Sequence, residues 1–171
     1  KGKGSTCCFV ESILRHHNLK TALFTSPHLV SPRERIRVDG LPIGEEEFRR
    51  GFLFVHDKLQ QSDEPVGYFR LLTLTALHIF SKHRYNDGSA IDVLILEVGI
   101  GGVHDATNVF RNTTTTAITR LDLDHTRILG DTLEKIAKEK SGIFRASNAG
   151  IFTVEQGDEK AMEVIRERSG G

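Results

Sequence analysis

The sequence has 171 residues, and its 23 lysines and arginines balance 23 aspartates and glutamates, so its formal net charge is zero. This balance gives no electrostatic reason to expect a nucleic acid or an anionic membrane as a partner. The longest apolar runs, such as Val93–Leu96, are too short to cross a bilayer. A chain of this length can bury one substantial core, so we expect a single domain over residues 1–171.

The first half of the sequence predicts helices around one strand and one long loop. The short run Thr21–Thr25 has β-like composition and predicts a strand. Segment Ser26–Arg37 holds two prolines and three arginines without periodicity, which indicates a functional loop. Residues 60–67 are polar and predict a turn. Apolar residues at helical spacing predict the helices Ser5–His17, Glu45–Leu59 and Phe69–His83.

The second half predicts further strands and helices in alternation. Asp131 followed by Glu134 has the spacing of a capping box and predicts a helix that runs to about Lys140, with Gly142 as its stop. The remaining predicted elements are the strands Ile91–Leu96, Thr114–Thr119 and Gly150–Val154 and the helix Glu159–Arg168. This alternation predicts an α/β fold, with a mostly parallel sheet and helices on both faces. Such folds bind ligands at the carboxyl ends of their strands.

The first six residues, KGKGST, resemble the end of a glycine-rich phosphate loop that runs into a helix. Backbone N–H groups at a helix start, beside Lys3 and the Ser5 hydroxyl, suit nucleotide phosphates. The general pattern ends Gly-Lys-[Ser/Thr], whereas here Gly4 separates Lys3 from Ser5 and the leading glycine is missing. A plain glycine-rich turn is therefore the alternative. The missing glycine also leads us to expect a piece of a longer protein.

Two further candidates follow predicted strands. Thr25–His28 places hydroxyl groups after the first strand, although a turn around Pro27 explains the same residues. Glu97 ends the apolar strand, and the glycines after it let the backbone approach a ligand closely. A carboxylate at the tip of a buried strand needs a cationic partner. A Mg²⁺ ligand and a structural ion pair are the two interpretations, and we favour the metal.

Asp122–Thr126 gathers two carboxylates and His125 after another predicted strand, which suits a metal or a bound water. An exposed acidic loop is the alternative. Lys140 lies at the predicted end of a helix, where a lysine stabilises the helix dipole without any further role.

Taken together, these segments resemble the folylpolyglutamate synthase family of Mur-ligase-like, ATP-dependent amide ligases. The resemblance covers nearly the whole chain in family order. It is carried by KGKGST (1–6), TSPHLV (25–30), RERIR (33–37), YFRLLT (68–73), EVGIGG (97–102), DH (124–125), LGDT (129–132) and IAKEKSGI (136–143).

The resemblance implies roles for individual residues. Lys3 would hold the β- and γ-phosphates of ATP, within a cofactor-binding loop of Gly2, Lys3, Gly4, Ser5 and Thr6. Two bound Mg²⁺ ions are implied. Ser26 and Glu97 would hold the first, and Glu97 and His125 the second. Lys140 matches a carbamylated lysine that helps to hold the second ion. The implied catalytic residues are Lys3, Glu97, His125 and Lys140.

The resemblance also implies the reaction and its partners. The γ-carboxylate of a reduced folate would attack ATP to give an acyl phosphate, and the amine of L-glutamate would then displace phosphate. Ser26–Arg37 matches a loop that helps to form the folate site. The implied domain is the P-loop NTPase-like central domain of a Mur ligase. We expect a C-terminal ligase domain beyond this chain, an inactive isolated chain, a monomeric full-length protein, and a cytoplasmic or mitochondrial location.

Three alternatives remain open at this stage. Another Mur-type ligase, acting on a peptidoglycan precursor, shares the ATP chemistry. A P-loop kinase or hydrolase would use the phosphate loop without folate or glutamate. A non-catalytic nucleotide-binding fragment would bind ATP at most.

Overall fold

A computed structural model describes residues 1–62 and 65–170 and divides the chain into two compact units. The first unit comprises Gly4–Glu97, and the second comprises Lys1–Lys3 together with the chain from Val98 onward. The expectation of one domain over the whole chain stays a prediction. The predicted turn over residues 60–67 lies partly outside the described residues. None of the described helices combines the length and the apolarity needed to cross a bilayer.

The first unit contains a four-stranded sheet with the strand order β3-β2-β1-β4. Strands β1 and β4 are parallel, whereas β2 runs antiparallel to both β1 and β3. Its elements are α1 (Lys3–His16), β1 (Thr21–Phe24), a 3-10 turn (Pro32–Arg35), β2 (Ile36–Val38), β3 (Leu41–Pro42), α2 (Glu45–Gln60), α3 (Tyr68–Lys82) and β4 (Val93–Leu96).

The α/β class is therefore confirmed, but the expectation of a mostly parallel sheet is wrong for this unit, whose sheet is mixed. The antiparallel part arises at Asp39-Gly40, where both residues have positive φ angles of 48° and 81°. An Asp-Gly pair at such angles forms a tight hairpin turn, which joins β2 to β3. The Asp39 carboxylate also accepts the backbone N–H of Thr21 at 3.0 Å, so the turn is fastened to β1.

The core of the first unit lies between its sheet and the helix pair α2 and α3. Phe24 and Ile36 of the sheet are fully buried against Ile79 of α3. The two helices approach closely at Gly51, where an added Cβ would lie 2.5 Å from Ile79 Cγ1. The carboxyl ends of β1 and β4 are adjacent, because Phe24 pairs with Leu96.

The second unit is built on the parallel strand pair β5 and β6. Its buried apolar cluster includes Ile118 of the first strand, Ile136 of α5 and Ile165 of α6. The elements of this unit are β5 (Thr115–Ile118), α4 (Thr126–Leu129), α5 (Leu133–Lys140), a 3-10 turn (Ser141–Ile143), β6 (Gly150–Thr153) and α6 (Glu159–Ser169).

Two predicted helix signals around α5 are wrong in detail. The N-cap is Thr132, whose side chain accepts the Lys135 N–H, whereas Asp131 pairs with the Lys135 ammonium at 2.8 Å. The helix ends at Lys140, and Gly142 lies in the following 3-10 turn. A side chain at Gly142 would meet Val103, so close packing is what requires a glycine there.

Candidate functional site

In the first unit, the Glu97 carboxylate lies beside the backbone that follows β1. Only 5% of Glu97 is exposed, and its Oε2 accepts the Ser26 N–H at 2.9 Å. The parallel pairing of β1 with β4 produces this contact, because each residue follows the end of its strand. Ser26 is half-buried, so its hydroxyl lies in the same region as a buried carboxylate.

Gly4 approaches the same carboxylate from α1. An added Cβ at Gly4 would lie 3.3 Å from Glu97 Oε2, tighter than ordinary van der Waals contact. Gly4, exposed Ser5 and half-buried Thr6 form the first turn of α1 within this unit, and that turn carries no acidic residue. The start of α1, which is the positive end of its helix dipole, is therefore next to the Glu97 carboxylate.

Glu97 has no cationic side chain as a partner among the described residues, where every ion pair joins other groups. A buried carboxylate is costly unless its surroundings compensate its charge. Glu97 therefore forms no structural ion pair within residues 1–62 and 65–170. Carboxylate and hydroxyl oxygens are the ligands that Mg²⁺ prefers, so Glu97 and Ser26 fit that ion chemically.

The segment after Ser26 is held by Glu34 of the 3-10 turn. Its carboxylate accepts three backbone N–H groups, from Leu29 at 2.8 Å, Val30 at 3.0 Å and Ser31 at 2.7 Å. These donors lower the pKa of Glu34 from 4.5 to about 2. The side chains of Leu29 and Val30 are 93% and 89% exposed, so the turn presents two apolar groups on a fixed backbone. The sequence predicted a functional loop here but not the residue that shapes it.

In the second unit, three lysines meet around one small cavity. Lys1, Lys3 and Lys140 line it together with Gly101 and Thr119. Lys140 is half-buried, and its burial, followed by the positive charge of Lys3, holds the pKa of its ammonium below the ordinary 10.5. The surroundings of this lysine therefore destabilise its ammonium relative to water, which the exposed end of a helix would not do.

The glycines after Glu97 pack against the end of α5. The Val103 N–H donates to the Glu139 carbonyl at 3.1 Å, and Gly102 is so close that an added Cβ would lie 2.7 Å from the Lys140 carbonyl oxygen. Gly101 has a φ of 71°, which only glycine adopts readily. The position of Lys140 is therefore set by backbone contact with the glycine-rich loop.

Asp105, which is not among the predicted site residues, shapes that loop. Its Oδ2 accepts the N–H groups of Gly99 and Ile100, both at 3.0 Å. Its Oδ1 accepts the N–H of Thr107 at 3.0 Å and the hydroxyl of the same residue at 2.6 Å. One carboxylate thus fixes four donors of the loop. The signal in the sequence was an aspartate two residues before a threonine in a loop, a pattern typical of local side-chain capping.

His125 and Asp124 lie before the short helix α4. The Asp124 carboxylate accepts the His125 N–H at 2.9 Å and the Lys1 ammonium at 2.7 Å, and both lower the pKa of Asp124. His125 has a left-handed backbone with φ of 51° and is half exposed. Asp124 therefore supports the backbone at His125.

Each unit gathers part of the predicted site. Ser26, Glu97 and Gly4 are together in the first, and Lys3 and Lys140 are together in the second. Across residues 1–62 and 65–170, no three side chains drawn from histidine, cysteine, aspartate and glutamate are grouped as metal ligands. A metal on these residues would therefore need hydroxyl, carbamate or phosphate oxygens as additional ligands.

The chain is similar to curated proteins over nearly all of its length. It is 47% identical to "Folylpolyglutamate synthase, mitochondrial" of Bos taurus, over 99% of the chain and 28% of that protein. It is also 47% identical to "Folylpolyglutamate synthase" of Arabidopsis thaliana, over 99% of the chain and 29% of that protein. The chain thus spans less than a third of the length of these relatives. No protein-family model matches it.

Solved structures show the same similarity. An FPGS–AMPPCP complex superposes with a TM-score of 0.89 at 31% identity, over 99% of this chain and 41% of that one. Escherichia coli FolC in complex with DHPP and ADP gives a TM-score of 0.85 at 36% identity, over 99% of this chain and 39% of that one.

Proposed function

We propose that this chain, which is similar over nearly all of its length to folylpolyglutamate synthases, forms the ATP-binding part of an enzyme that joins L-glutamate to the γ-carboxylate of a reduced folate. The observation that supports this most directly is the buried Glu97 carboxylate, which accepts the Ser26 N–H, lies close to Gly4, and forms no ion pair with a side chain of the described residues. Among solved relatives, one is a complex with AMPPCP and folate, and another holds Mn, AMPPNP and L-glutamate.

We also propose that the fold is a P-loop domain of the Mur-ligase type. The parallel pairs β1–β4 and β5–β6, with α1 beginning at Lys3 inside the glycine-rich segment, support a P-loop domain of the Mur-ligase type. The Bos taurus and Homo sapiens relatives are named mitochondrial, which supports mitochondria as one location.

In the first step, the γ-carboxylate of the acceptor attacks the γ-phosphorus of ATP, which forms an acyl phosphate and releases ADP. Carboxylate is a poor electrophile, so the phosphoryl group supplies the leaving group for amide formation. The Lys3 ammonium offsets charge on the β- and γ-phosphates, and the N–H groups of Gly4, Ser5 and Thr6 bind their oxygens.

In the second step, the amine of L-glutamate attacks the acyl carbon, and phosphate leaves as the C–N bond forms. Ser26 and Glu97 are proposed to hold one Mg²⁺, and the proposed ligands of a second include His125 and carbamylated Lys140. When bound, these ions offset phosphate charge and orient the in-line transfer.

Carbamylation of Lys140 is part of this proposal. Only a neutral amine attacks CO₂, and the lowered pKa of Lys140 raises the fraction of the side chain in that form. The carbamate would give Lys140 an anionic oxygen ligand in place of an ammonium. Incubation of the protein with ¹³C-bicarbonate should give a carbamate carbon signal by NMR that Lys140→Arg abolishes. Absence of the signal from the wild-type protein with Mg²⁺ and ATP would remove the carbamate from the site.

The reaction itself is tested with the complete protein encoded by the gene that contains this sequence. With tetrahydrofolate, L-glutamate and MgATP, we expect ADP release that requires both other substrates, and one ¹⁸O transferred from the labelled γ-carboxylate to phosphate. ATP hydrolysis that ignores folate and glutamate would instead favour a P-loop hydrolase.

A further inference from the structure

Arg35 is a buried cation at the end of the 3-10 turn Pro32–Arg35. Only 8% of the residue is exposed, and its backbone carbonyl accepts the Thr25 N–H at 3.0 Å. Arg35 thus lies beside the end of β1, within the segment that follows Ser26. A buried guanidinium cannot lose its proton, so its charge needs compensation from its surroundings.

The partners of Arg35 in the described part of the chain are neutral. Its Nε donates to His28 Nδ1 at 2.9 Å, which requires the His28 tautomer with its proton on Nε2. Its guanidinium carbon lies 5.8 Å from the centre of the Tyr68 ring. No aspartate or glutamate of residues 1–62 or 65–170 forms an ion pair with it.

The neighbouring arginines of the segment differ from Arg35. Arg33 donates to the Ile43 carbonyl at 3.1 Å and Arg37 to the Glu34 carbonyl at 2.9 Å, and both are only half-buried. Arg35 alone of these three is buried and held by a ring nitrogen and an aromatic face. Such a guanidinium is oriented in advance, and its remaining N–H groups suit a planar anion.

We propose that Arg35 binds the α-carboxylate on the glutamate end of the folate acceptor, the carboxylate that the ligation does not consume. This inference rests on the proposed function. The segment that carries Arg35 follows β1 and is separate in sequence from the phosphate loop with its own lysine, Lys3. A tight ion pair with the reacting γ-carboxylate would weaken it as a nucleophile, whereas a pair with the α-carboxylate positions the acceptor without that cost.

The test is steady-state kinetics on the complete protein with tetrahydrofolate, L-glutamate and MgATP. Arg35→Gln and Arg35→Lys should raise KM for the folate about 10- to 100-fold and leave KM for MgATP within about twofold, because a charge-assisted pair is lost. Arg49→Gln is the control, since Arg49 is an exposed arginine paired with Glu46 on α2. It should change neither KM.

An acceptor analogue decides which carboxylate is bound. Replacing the glutamate of tetrahydrofolate with γ-aminobutyrate removes the α-carboxylate and keeps the reacting one. For the wild-type protein, KM for the analogue should exceed KM for the folate by about the factor by which Arg35→Gln raises KM for the folate. Arg35→Gln should not raise KM for the analogue any further. The proposal would be overturned if Arg35→Gln raised KM for both acceptors by the same factor, or if it raised KM for MgATP.

A second variant keeps the proposal testable if Arg35→Gln does not fold. Tyr68 is 56% exposed, so Tyr68→Leu should keep the wild-type melting temperature. It should raise KM for the folate about two- to fivefold through loss of the cation–π contact. If the wild-type protein fails to ligate glutamate, the proposed function fails and this inference with it. If it ligates and KM for the folate is unchanged in the Arg35 and Tyr68 variants, only this inference fails.

Discussion

The backbone N–H of Ser26 donates to Glu97 Oε2 at 2.9 Å and joins two residues that are 71 positions apart in the sequence. Ser26 lies two residues after the end of β1, and Glu97 directly follows β4. These two strands are parallel neighbours. A hydroxyl and a carboxylate are therefore held side by side by sheet pairing, not by a local sequence motif.

Glu97→Gln tests whether the charge of this carboxylate matters. The amide oxygen can still accept the Ser26 N–H, so the melting temperature should stay within a few degrees of the wild type. Loss of the charge should lower kcat for ligation by about 10²–10³-fold, the range for removal of one preorganised electrostatic group. A Mg²⁺ titration of activity in both proteins provides the measurement. Normal Mg²⁺-dependent activity in Glu97→Gln would show that the metal assignment is wrong.

Asp105→Asn should loosen the glycine-rich loop. An amide nitrogen in place of Oδ2 would face the N–H groups of Gly99 and Ile100, so two donors lose their acceptor. We expect the free energy of unfolding to fall by about 1–3 kcal/mol in urea denaturation. Glu163→Gln, an exposed carboxylate on α6, is the matched control and should have little effect. Equal stability of the two variants would show that the hydrogen bonds of Asp105 do not stabilise the loop.

Gly102→Ala should be among the most damaging small substitutions. Its Cβ would lie 2.5 Å from the Glu139 carbonyl oxygen, and backbone cannot move aside as a side chain can. We expect a loss of about 3 kcal/mol in the free energy of unfolding. Gly157→Ala provides the comparison, because no atom lies within 4 Å of its added Cβ, and it should stay within about 0.5 kcal/mol of the wild type. A tolerated Gly102→Ala would mean that the loop does not rest on α5.

Glu34 predicts a specific pH dependence. Its pKa is lowered from 4.5 to about 2, so the folded state favours the carboxylate. The resulting stabilisation is present in full above pH 4.5 and is lost as pH falls from about 4.5 towards 2. Hydrogen exchange should show protected amides at Leu29, Val30 and Ser31 at pH 5 in the wild type. Glu34→Ala should abolish that protection, while Glu46→Ala on α2 should leave it intact.

Much of the fold could be predicted from periodicity. The helices α1, α2, α3 and α6 and the strands β1, β4, β5 and β6 all overlap their predicted segments closely. The hairpin of β2 and β3 was missed because strands of three and two residues show no alternation. Its one visible signal was Asp39-Gly40, a pair typical of tight hairpin turns.

The site was less accessible to sequence reasoning. Phosphate-loop and strand-end residues follow general patterns, so Lys3, Ser26 and Glu97 could be named in advance. Asp105 and Glu34 could not, because their partners are backbone N–H groups whose directions depend on the path of the loop. The lowered pKa of Lys140 depends on burial and on Lys3, which is 137 positions away in sequence, and neither is visible in a helix-end lysine.

The Glu34 carboxylate fixes the backbone of the turn without using the side chains of Leu29 and Val30. Because main-chain donors at 29–31 fix the turn, the side chains at Leu29 and Val30 can be exchanged without disturbing its course. Under the proposed function, substitutions at Leu29 and Val30 are expected to change the acceptor preference without changing the backbone of the turn.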